Sequence, residues 1–303
     1  MTTLSAVLLI FAAFTHAGWN FISKKKHPTQ AFYLVANTMG VVCILPFLVH
    51  YAGLIPFIPA PVWIIVVLSG FFLAAYLKAL AGAYRAGDIS IAYPLARSLP
   101  VVLVFLITLM LGNGRPPGGW FLAGVVLIVS GCMILPLKTF NDFRVDNYLN
   151  RCCLLAVFAA VGIAGYTVAD DMALRCLRAL PGTPLRPVSG TLTYMVLEGI
   201  SCSAWQALFV ALSRRERRSL SEVLTSFKGP AALTGMGIYL TYGTVLVSMN
   251  YVSNVSYVAA FRQLSIPLGA LFGMAFLKEP RYLPKLFGIA AIFLGLVLSV
   301  IDP

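Results

Sequence analysis

Ten long apolar runs, separated by charged residues, proline or glycine, limit what this chain can fold into. A helix needs about 20 apolar residues to cross the hydrocarbon core of a bilayer. Of the 303 residues, 60% are hydrophobic and 11% are charged, whereas a soluble domain has roughly 25% charged residues. The sequence therefore predicts an all-α polytopic membrane protein of about ten transmembrane helices. The runs lie at approximately 4–22, 31–51, 62–83, 89–111, 120–137, 152–173, 192–212, 231–249, 255–277 and 283–301.

Composition and charge argue against several classes of function. The net charge of +12 comes from 22 Lys and Arg residues spread between apolar runs. They form no basic face with interleaved aromatic residues, so we expect no nucleic-acid partner. The 3 histidines are dispersed, and the 6 cysteines fit neither a metal spacing nor a disulfide framework. Because no carboxylate cluster or nucleotide-binding loop is present either, we predict that the chain is not an enzyme and needs no cofactor.

The basic residues also predict how the chain lies in the membrane. Lys78, Arg97 and Arg262 fall inside predicted spans. Of the remaining nineteen Lys and Arg residues, fifteen lie in or beside the odd-numbered connections. Cytoplasmic loops carry an excess of these residues. We therefore expect the odd-numbered connections in the cytoplasm and both termini on the non-cytoplasmic side.

The chain repeats itself. Residues 87–97 read GDISIAYPLAR and residues 252–262 read VSNVSYVAAFR, and each segment begins a predicted span and reaches an arginine. Each continues through a proline and a polar turn to a similar closing helix. This pattern predicts two five-helix repeats, 1–138 and 152–303, joined by a loop at 139–151. Because five is odd, the repeats must be inverted, which is typical of secondary transporters whose site lies between the halves.

Four motifs in order resemble the EamA-type branch of the drug/metabolite transporter superfamily. They are HAGWNFISK at 16–24, the segment 87–100, GYTVADD at 165–171, and VSYVAAFRQLSIPLGALFG at 255–273. The likeness covers essentially the whole chain, but Gly112-Asn113-Gly114 stands where the family usually has Gly-Glu. The resemblance implies a ten-helix carrier of the bacterial inner membrane that works by alternating access. It does not name a substrate.

Arg97 and Arg262 are the first candidates for substrate binding. Each lies about 8 residues inside a span, or roughly 12 Å deep at 1.5 Å per residue. An arginine at a helix centre costs about 2.5–3.5 kcal/mol, so it is expected to face a water-filled cavity or a partner. Two guanidinium forks suit a carboxylate or phosphate. The leading hypothesis is therefore a carrier of a small anionic or zwitterionic metabolite, such as an amino-acid-like, organophosphate or phosphonate compound.

The alternative hypothesis gives the arginines a structural role. Each would then pair with an internal acid or a backbone carbonyl and lock the helices together. The protein would be an efflux carrier for neutral or cationic drugs or metabolites. Without a nucleotide-binding motif, transport is not driven by ATP through this chain alone.

The other candidate residues are acids, aromatic residues and one amide inside the spans. An acid there could bind a proton for coupling or neutralise an arginine. Two tyrosines stand one helical turn before Arg97 and before an acid, and so share a face with them. We expect a small-molecule substrate and membrane lipid as partners, with a proton or sodium as coupling ion, and either a monomer or a homodimer. The remaining candidates are Asp170, Glu198, Tyr93, Tyr166, Tyr257, Trp19 and Asn20. Asp88, just before the fourth span, is interpreted as a helix N-cap.

Overall fold

The computed structural model describes residues 3–26, 28–110, 118–144, 148–178, 187–248 and 264–301. Within them every regular element is a helix, which confirms the all-α prediction. A short 3₁₀ helix at Ala52–Phe57 follows the second helix, and a π-helical turn at Val223–Phe227 follows the eighth. The α-helices are α1 (Thr3–Lys25), α2 (Gln30–His50), α3 (Ala60–Ala86), α4 (Ile89–Met110), α5 (Gly119–Ile134), α6 (Arg151–Arg178), α7 (Pro187–Ala211), α8 (Arg214–Glu222), α9 (Lys228–Ser248), α10 (Ser265–Phe276) and α11 (Leu283–Ile301).

Each predicted apolar run contains a described helix, although the ninth run is described only in its second half, as α10. Helix α8 lies between two runs and was not predicted. Among the described residues, four segments are long and apolar enough to cross a membrane: α2, α3, Arg151–Leu177 of α6 and Ser189–Ala211 of α7. Shorter apolar stretches lie in α4, α5, α10 and α11. These helices indicate a membrane protein. A count of ten spans and their arrangement as inverted repeats stay predictions.

Large apolar side chains cover much of the outer surface of the described helices. Ile64 is 72% exposed, Val49 70% and Phe158 65%. Surface patches of this kind mark contact with lipid or with another protein. Lys78, inside the third predicted span, is also exposed, and its Nζ lies 4.7 Å from the centre of the Phe209 ring. Its aliphatic stem can follow that apolar surface to the interface.

The main helix contacts join the first part of the chain to the second. Helix α3 packs on α6 and α7, and α1 and α2 both pack on α9. Helix α4 contacts α6 and α10, and α1 also contacts α10. The pairs α2–α7 and α5–α11 complete the set. Helices before residue 138 thus find most of their partners after residue 151.

Glycines allow the closest of these helix pairs. A Cβ on Gly131 of α5 would lie 2.7 Å from the carbonyl oxygen of Gly288 in α11, and a Cβ on Gly235 of α9 would overlap the carbonyl of Ala36 in α2. Helices in lipid gain no hydrophobic free energy from each other, so close contact between small residues contributes much of their association. The glycines therefore define where α5 meets α11 and where α9 meets α2.

The N-terminus of α4 is capped by a residue from the other part of the chain. Glu279 Oε1 accepts from the backbone N–H of Ile89 at 2.8 Å, and Oε2 accepts from that of Ser90 at 3.0 Å. The carboxylate of Asp88 accepts from Lys285 Nζ at 3.0 Å. Asp88 stands at the N-cap position, since its carbonyl accepts from the Ala92 N–H at 2.9 Å. Its side chain, however, pairs with Lys285, and Glu279 binds the first two amides of the helix in its place.

The turn after α10 brings Glu279 to this position. Lys278 has a φ of 54°, in the left-handed region that reverses the chain at a helix end. Lys285 is 1% exposed and also donates to Ser90 Oγ at 3.0 Å and to the Pro280 carbonyl at 3.1 Å. We call this group the α4 corner: Asp88, Ser90, Glu279 and Lys285. It ties the α3–α4 connection to the α10–α11 connection.

Lys24 adds a third contact at the same end of the bundle. Its Nζ lies 2.5 Å from the carbonyl oxygens of both Tyr84 and Gly87, at the C-terminus of α3. A cation at that end of a helix interacts favourably with the exposed carbonyls. Burial lowers the pKa of Lys24, although the nearby carboxylates of Glu279 and Asp88 act in the opposite direction.

Candidate functional site

A cavity of about 70 Å³ lies between helices of both parts of the chain. Most of its wall is aromatic or aliphatic, with a few polar groups at defined positions, as is usual in sites for small molecules. Within the described residues its lining contains one acid and no lysine or arginine. The lining residues are His16, Trp19, Asn37, Leu73, Tyr76, Leu77, Tyr166, Glu198, Ile238, Tyr239, Thr241, Tyr242 and Val245.

Two carboxyl groups meet at one side of this cavity. Asp170 on α6 is 8% exposed and Glu198 on α7 is 2% exposed. Between them lies Ser69 of α3, whose Oγ is 2.7 Å from Asp170 Oδ1 and 2.8 Å from Glu198 Oε1. We call Asp170 and Glu198 the carboxyl pair. The packing of α3 against both α6 and α7 is what brings these three side chains together.

Tyrosines complete the surroundings of Asp170. Tyr194 OH donates to Oδ1 at 2.7 Å, and Tyr242 OH donates to Oδ2 at 3.3 Å. Asp170 therefore receives hydrogen bonds on both oxygens, which favours its ionised form. Among the described residues, no lysine or arginine forms an ion pair with either member of the carboxyl pair. The neighbouring Asp171 points away and pairs with Arg175 at 2.8 Å.

A chain of hydrogen bonds through α1 reaches the cavity at His16. Tyr84 OH donates to Asn20 Oδ1 at 2.6 Å, and Asn20 Nδ2 donates to the His16 carbonyl at 2.8 Å. The same Nδ2 lies 3.0 Å from His16 Nδ1, and Tyr93 OH lies 2.9 Å from that nitrogen. Because an amide NH₂ only donates, Nδ1 is the acceptor in this arrangement. These hydrogen bonds hold the His16 imidazole in position at the wall of the cavity.

A second polar connection joins α9, α2 and α7. Tyr239 OH donates to Asn37 Oδ1 at 2.8 Å. Asn37 Nδ2 donates to the Gly199 carbonyl at 3.0 Å and to Ser203 Oγ at 2.8 Å. Both Asn37 and Tyr239 line the cavity. Buried polar groups that are satisfied in this way hold their side chains in one position.

Two donors in this region lack acceptors within the described residues. The indole N–H of Trp19, which lines the cavity, has no hydrogen-bond partner there, and neither does Nε of Arg97. Arg97 is 7% exposed and does not line the cavity, but its charge acts on Tyr76, which does. No described carboxylate pairs with Arg97, so the structural-lock hypothesis finds no partner for it among these residues.

The site residues predicted from the sequence lie at different positions relative to the cavity. Trp19, Tyr166 and Glu198 line the cavity. Asp170 borders it through the carboxyl pair, and Asn20 and Tyr93 support His16. Arg97 is buried outside the lining, and Arg262 and Tyr257 lie outside the described residues. The site residues stay predictions.

Sequence reasoning missed several residues of this region. Ser69 is a lone hydroxyl in an apolar run, which gives no signal by itself. Tyr194 stands four residues before Glu198, so the same-face rule applied to Tyr166 would also have selected it. Tyr76, Tyr239 and Tyr242 gave no signal, because only helix packing places them at the cavity.

Comparison with known proteins finds similarity only among solved structures. No model of a known protein family matches the chain, and no curated protein matches it. Seven chains of solved structures do match. One of them, described only as the crystal structure of a protein, matches with a TM-score of 0.52 and 17% identity over 97% of each chain. At this identity the likeness shows the fold alone.

Proposed function

We propose that the chain is a secondary, non-ATP transmembrane carrier of a small metabolite. The observation that carries the proposal is the cavity itself: it is enclosed by helices from both parts of the chain and holds a buried carboxyl pair at its edge. Acids buried inside a membrane protein are costly and usually mark a solute or ion pathway. The chain would belong to the EamA-type branch of the drug/metabolite transporters, with about ten spans in the inner membrane.

The pattern of helix contacts supports two inverted repeats. Suppose that α1, α2, α3, α4 and α5 correspond to α6, α7, α9, α10 and α11. Exchanging the halves then turns α3–α6 into α1–α9, α2–α9 into α3–α7, and α4–α6 into α1–α10, all of which are observed. The pairs α2–α7, α4–α10 and α5–α11 map onto themselves. Inverted repeats allow alternating access by rocking one half against the other around a fixed site.

The cavity lining favours a small zwitterion within the classes expected from the sequence. A carboxyl and several aromatic rings suit a cationic group, because carboxylates and ring faces both attract cations. The Trp19 indole N–H, which has no acceptor among the described residues, suits an oxygen of the same solute. Ligand pockets for drug-sized molecules span about 300–1,000 Å³, so a cavity of 70 Å³ favours a small solute. A purely anionic substrate rests on Arg97 and Arg262, neither of which is among the described lining residues.

The second candidate function is efflux of neutral or cationic compounds. The acid and aromatic lining supports it, since a cation without an acid group would satisfy the carboxyl pair equally well. The two candidate functions differ in whether the solute must also carry an acidic group, such as a carboxylate or a phosphonate. A panel built from matched compounds separates them.

We would measure thermal stabilisation of the purified protein by two matched sets. The first set is leucine, 4-methylpentanoate and 3-methylbutylamine; the second is aminomethylphosphonate, methylphosphonate and methylamine. A compound that binds only the folded state should stabilise it by about 2.7 kcal/mol at 100 times its Kd. The proposal expects a zwitterion to stabilise most. Stabilisation by the amines alone would move the efflux function into first place.

Single-residue variants test which side chains contact the solute. Glu198→Gln should abolish stabilisation by the zwitterion, whereas Asp171→Asn, at an exposed acid paired with Arg175, should not change it. Arg97→Ala and Arg262→Ala test whether either arginine contacts the acid group of the solute. Stabilisation by the acids alone, lost in both arginine variants, would replace the zwitterion with an anion. No response to any compound would count against the carrier.

A further inference from the structure

We propose that the carboxyl pair is the coupling site of the carrier: Glu198 holds one proton, which it releases when an ammonium group of the solute binds. The inference rests on the proposed function and names the coupling ion, for which proton and sodium were equally open in the sequence.

Ser69 stands between two acids at short distances, 2.7 Å to Asp170 Oδ1 and 2.8 Å to Glu198 Oε1. A hydroxyl has one proton and can donate one short, linear hydrogen bond. Two short contacts therefore need a second proton, and it must be on one of the carboxyl groups. That carboxylic acid donates to Ser69 Oγ, and Ser69 donates to the other carboxylate. The geometry thus describes one proton shared by two acids.

The surroundings place this proton on Glu198. Asp170 accepts from Tyr194 on one oxygen and from Tyr242 on the other, and these donations stabilise its charge. Glu198 lines the cavity, so its proton can exchange with water or solute there. Tyr242 also lies beside Glu198, and the other titratable groups near it are Tyr194, Tyr239 and Cys202, all of which are neutral at pH 7. His16 lines the same cavity, with Nδ1 accepting from Asn20.

The exchange balances in charge. Before it, the pair carries one negative charge on Asp170 and a neutral acid on Glu198. When an ammonium group enters, the O–H bond of Glu198 breaks, the proton leaves to water, and the new carboxylate accepts hydrogen bonds from the ammonium. The two carboxylates and the ammonium group again sum to a single negative charge. The acid group of a zwitterion brings its own charge, for which the Trp19 indole N–H is the donor. Because burying an uncompensated charge is costly, the site favours either the proton or the cation, which couples their movements in opposite directions.

The variant Glu198→Gln is a suitable mimic of the protonated state. Its amide can donate to Ser69 Oγ as the acid does, so Ser69 still donates to Asp170 and the hydrogen bonds are kept. The variant should therefore fold, while it can neither release a proton nor become charged. Asp171→Asn is the matched control, because Asp171 follows Asp170 in the sequence but its carboxylate is 53% exposed and lies outside the carboxyl pair.

The first experiment is infrared spectroscopy of the protein in lipid at pH 7. A protonated carboxylic acid absorbs at a carbonyl stretch that a carboxylate lacks. We expect this band in the wild type and in Asp171→Asn, and its loss in Glu198→Gln. Absence of the band from the wild type, or its persistence in Glu198→Gln, would overturn the proposal whatever the solute is.

The second experiment adds each zwitterion and amine of the two matched sets to the same sample. We expect the solute that stabilises the wild type to remove the band and to release about one proton, as measured by calorimetry in buffers of different ionisation enthalpy. Binding without loss of the band would overturn the exchange and leave the carrier intact. If no compound binds, the carrier and the exchange both fail, even where the band shows a shared proton.

Discussion

At the α4 corner, removing Asp88 should destabilise the protein more than removing Lys285. The side chain of Lys285 is 1% exposed, whereas that of Asp88 is 33% exposed. Asp88→Ala therefore leaves a buried ammonium whose remaining acceptors, within the part of the chain that the structure describes, are Ser90 Oγ and the Pro280 carbonyl. Breaking a fully buried pair costs about 3–5 kcal/mol. Since Asp88 is partly solvated and two acceptors remain, we expect a loss of about 2–3 kcal/mol for this variant, somewhat below that range.

Lys285→Met is the complementary change. Methionine fills much of the same volume without a charge, and the remaining Asp88 carboxylate can take water. We expect a loss of about 1 kcal/mol or less, because replacing a buried charge with an apolar side chain of similar volume is often close to neutral, and about the same for Asp88→Ala combined with Lys285→Met. The free energies would come from titration of the purified protein with a denaturing detergent. Asp142→Ala is the control, because its partner Arg144 is 79% exposed. An equal or larger loss in Lys285→Met than in Asp88→Ala would refute the reasoning.

Three other predictions test the packing and the orientation. Gly131→Ala places a Cβ 2.7 Å from the Gly288 carbonyl oxygen and should lower the free energy of unfolding by about 1–3 kcal/mol in the same titration. Gly119→Ala, which has open space around its Cβ, should not destabilise the protein. Equal effects of the two variants would contradict the close contact. Lys278→Gly should be neutral or stabilise by up to about 1 kcal/mol, because glycine adopts the left-handed conformation freely, and a clear loss would argue against that turn. Exposed Cys176 should react with a membrane-impermeant maleimide in intact cells, and Ser221→Cys only after permeabilisation; the reverse result would invert the orientation.

Much of the helical framework could be predicted from hydropathy, because lipid-facing helices must be long and apolar. Helix α8 is the clearest omission. The charged run Arg214–Arg218 predicts a break between two spans, yet Ser213 Oγ accepts from the backbone N–H of Glu216 at 3.3 Å and caps a helix there. Serine followed three residues later by glutamate is the sequence pattern of a capping box. The sequence therefore contains a signal for the start of this helix, although its many charged residues give no apolar run.

The candidate site could be predicted only in part. Asp170 and Glu198 stood out because an acid in an apolar run is costly and needs a reason. Their connection through Ser69 depends on how α3 packs between α6 and α7, which no local pattern encodes. The same holds for Glu279, whose capping of α4 joins residues 190 positions apart. Hydropathy gives the span of a helix but not the partner that it meets.

Solute uptake into proteoliposomes is the most direct test of the carrier. Liposomes containing the wild type, Glu198→Gln or Asp171→Asn would receive labelled leucine or aminomethylphosphonate from outside, with no ATP on either side. The account predicts uptake of a zwitterion by the wild type and by Asp171→Asn, driven by an acidic interior and abolished in Glu198→Gln. No uptake above that of protein-free liposomes, with a folded wild type, would contradict the claim that this chain is a secondary carrier of such solutes.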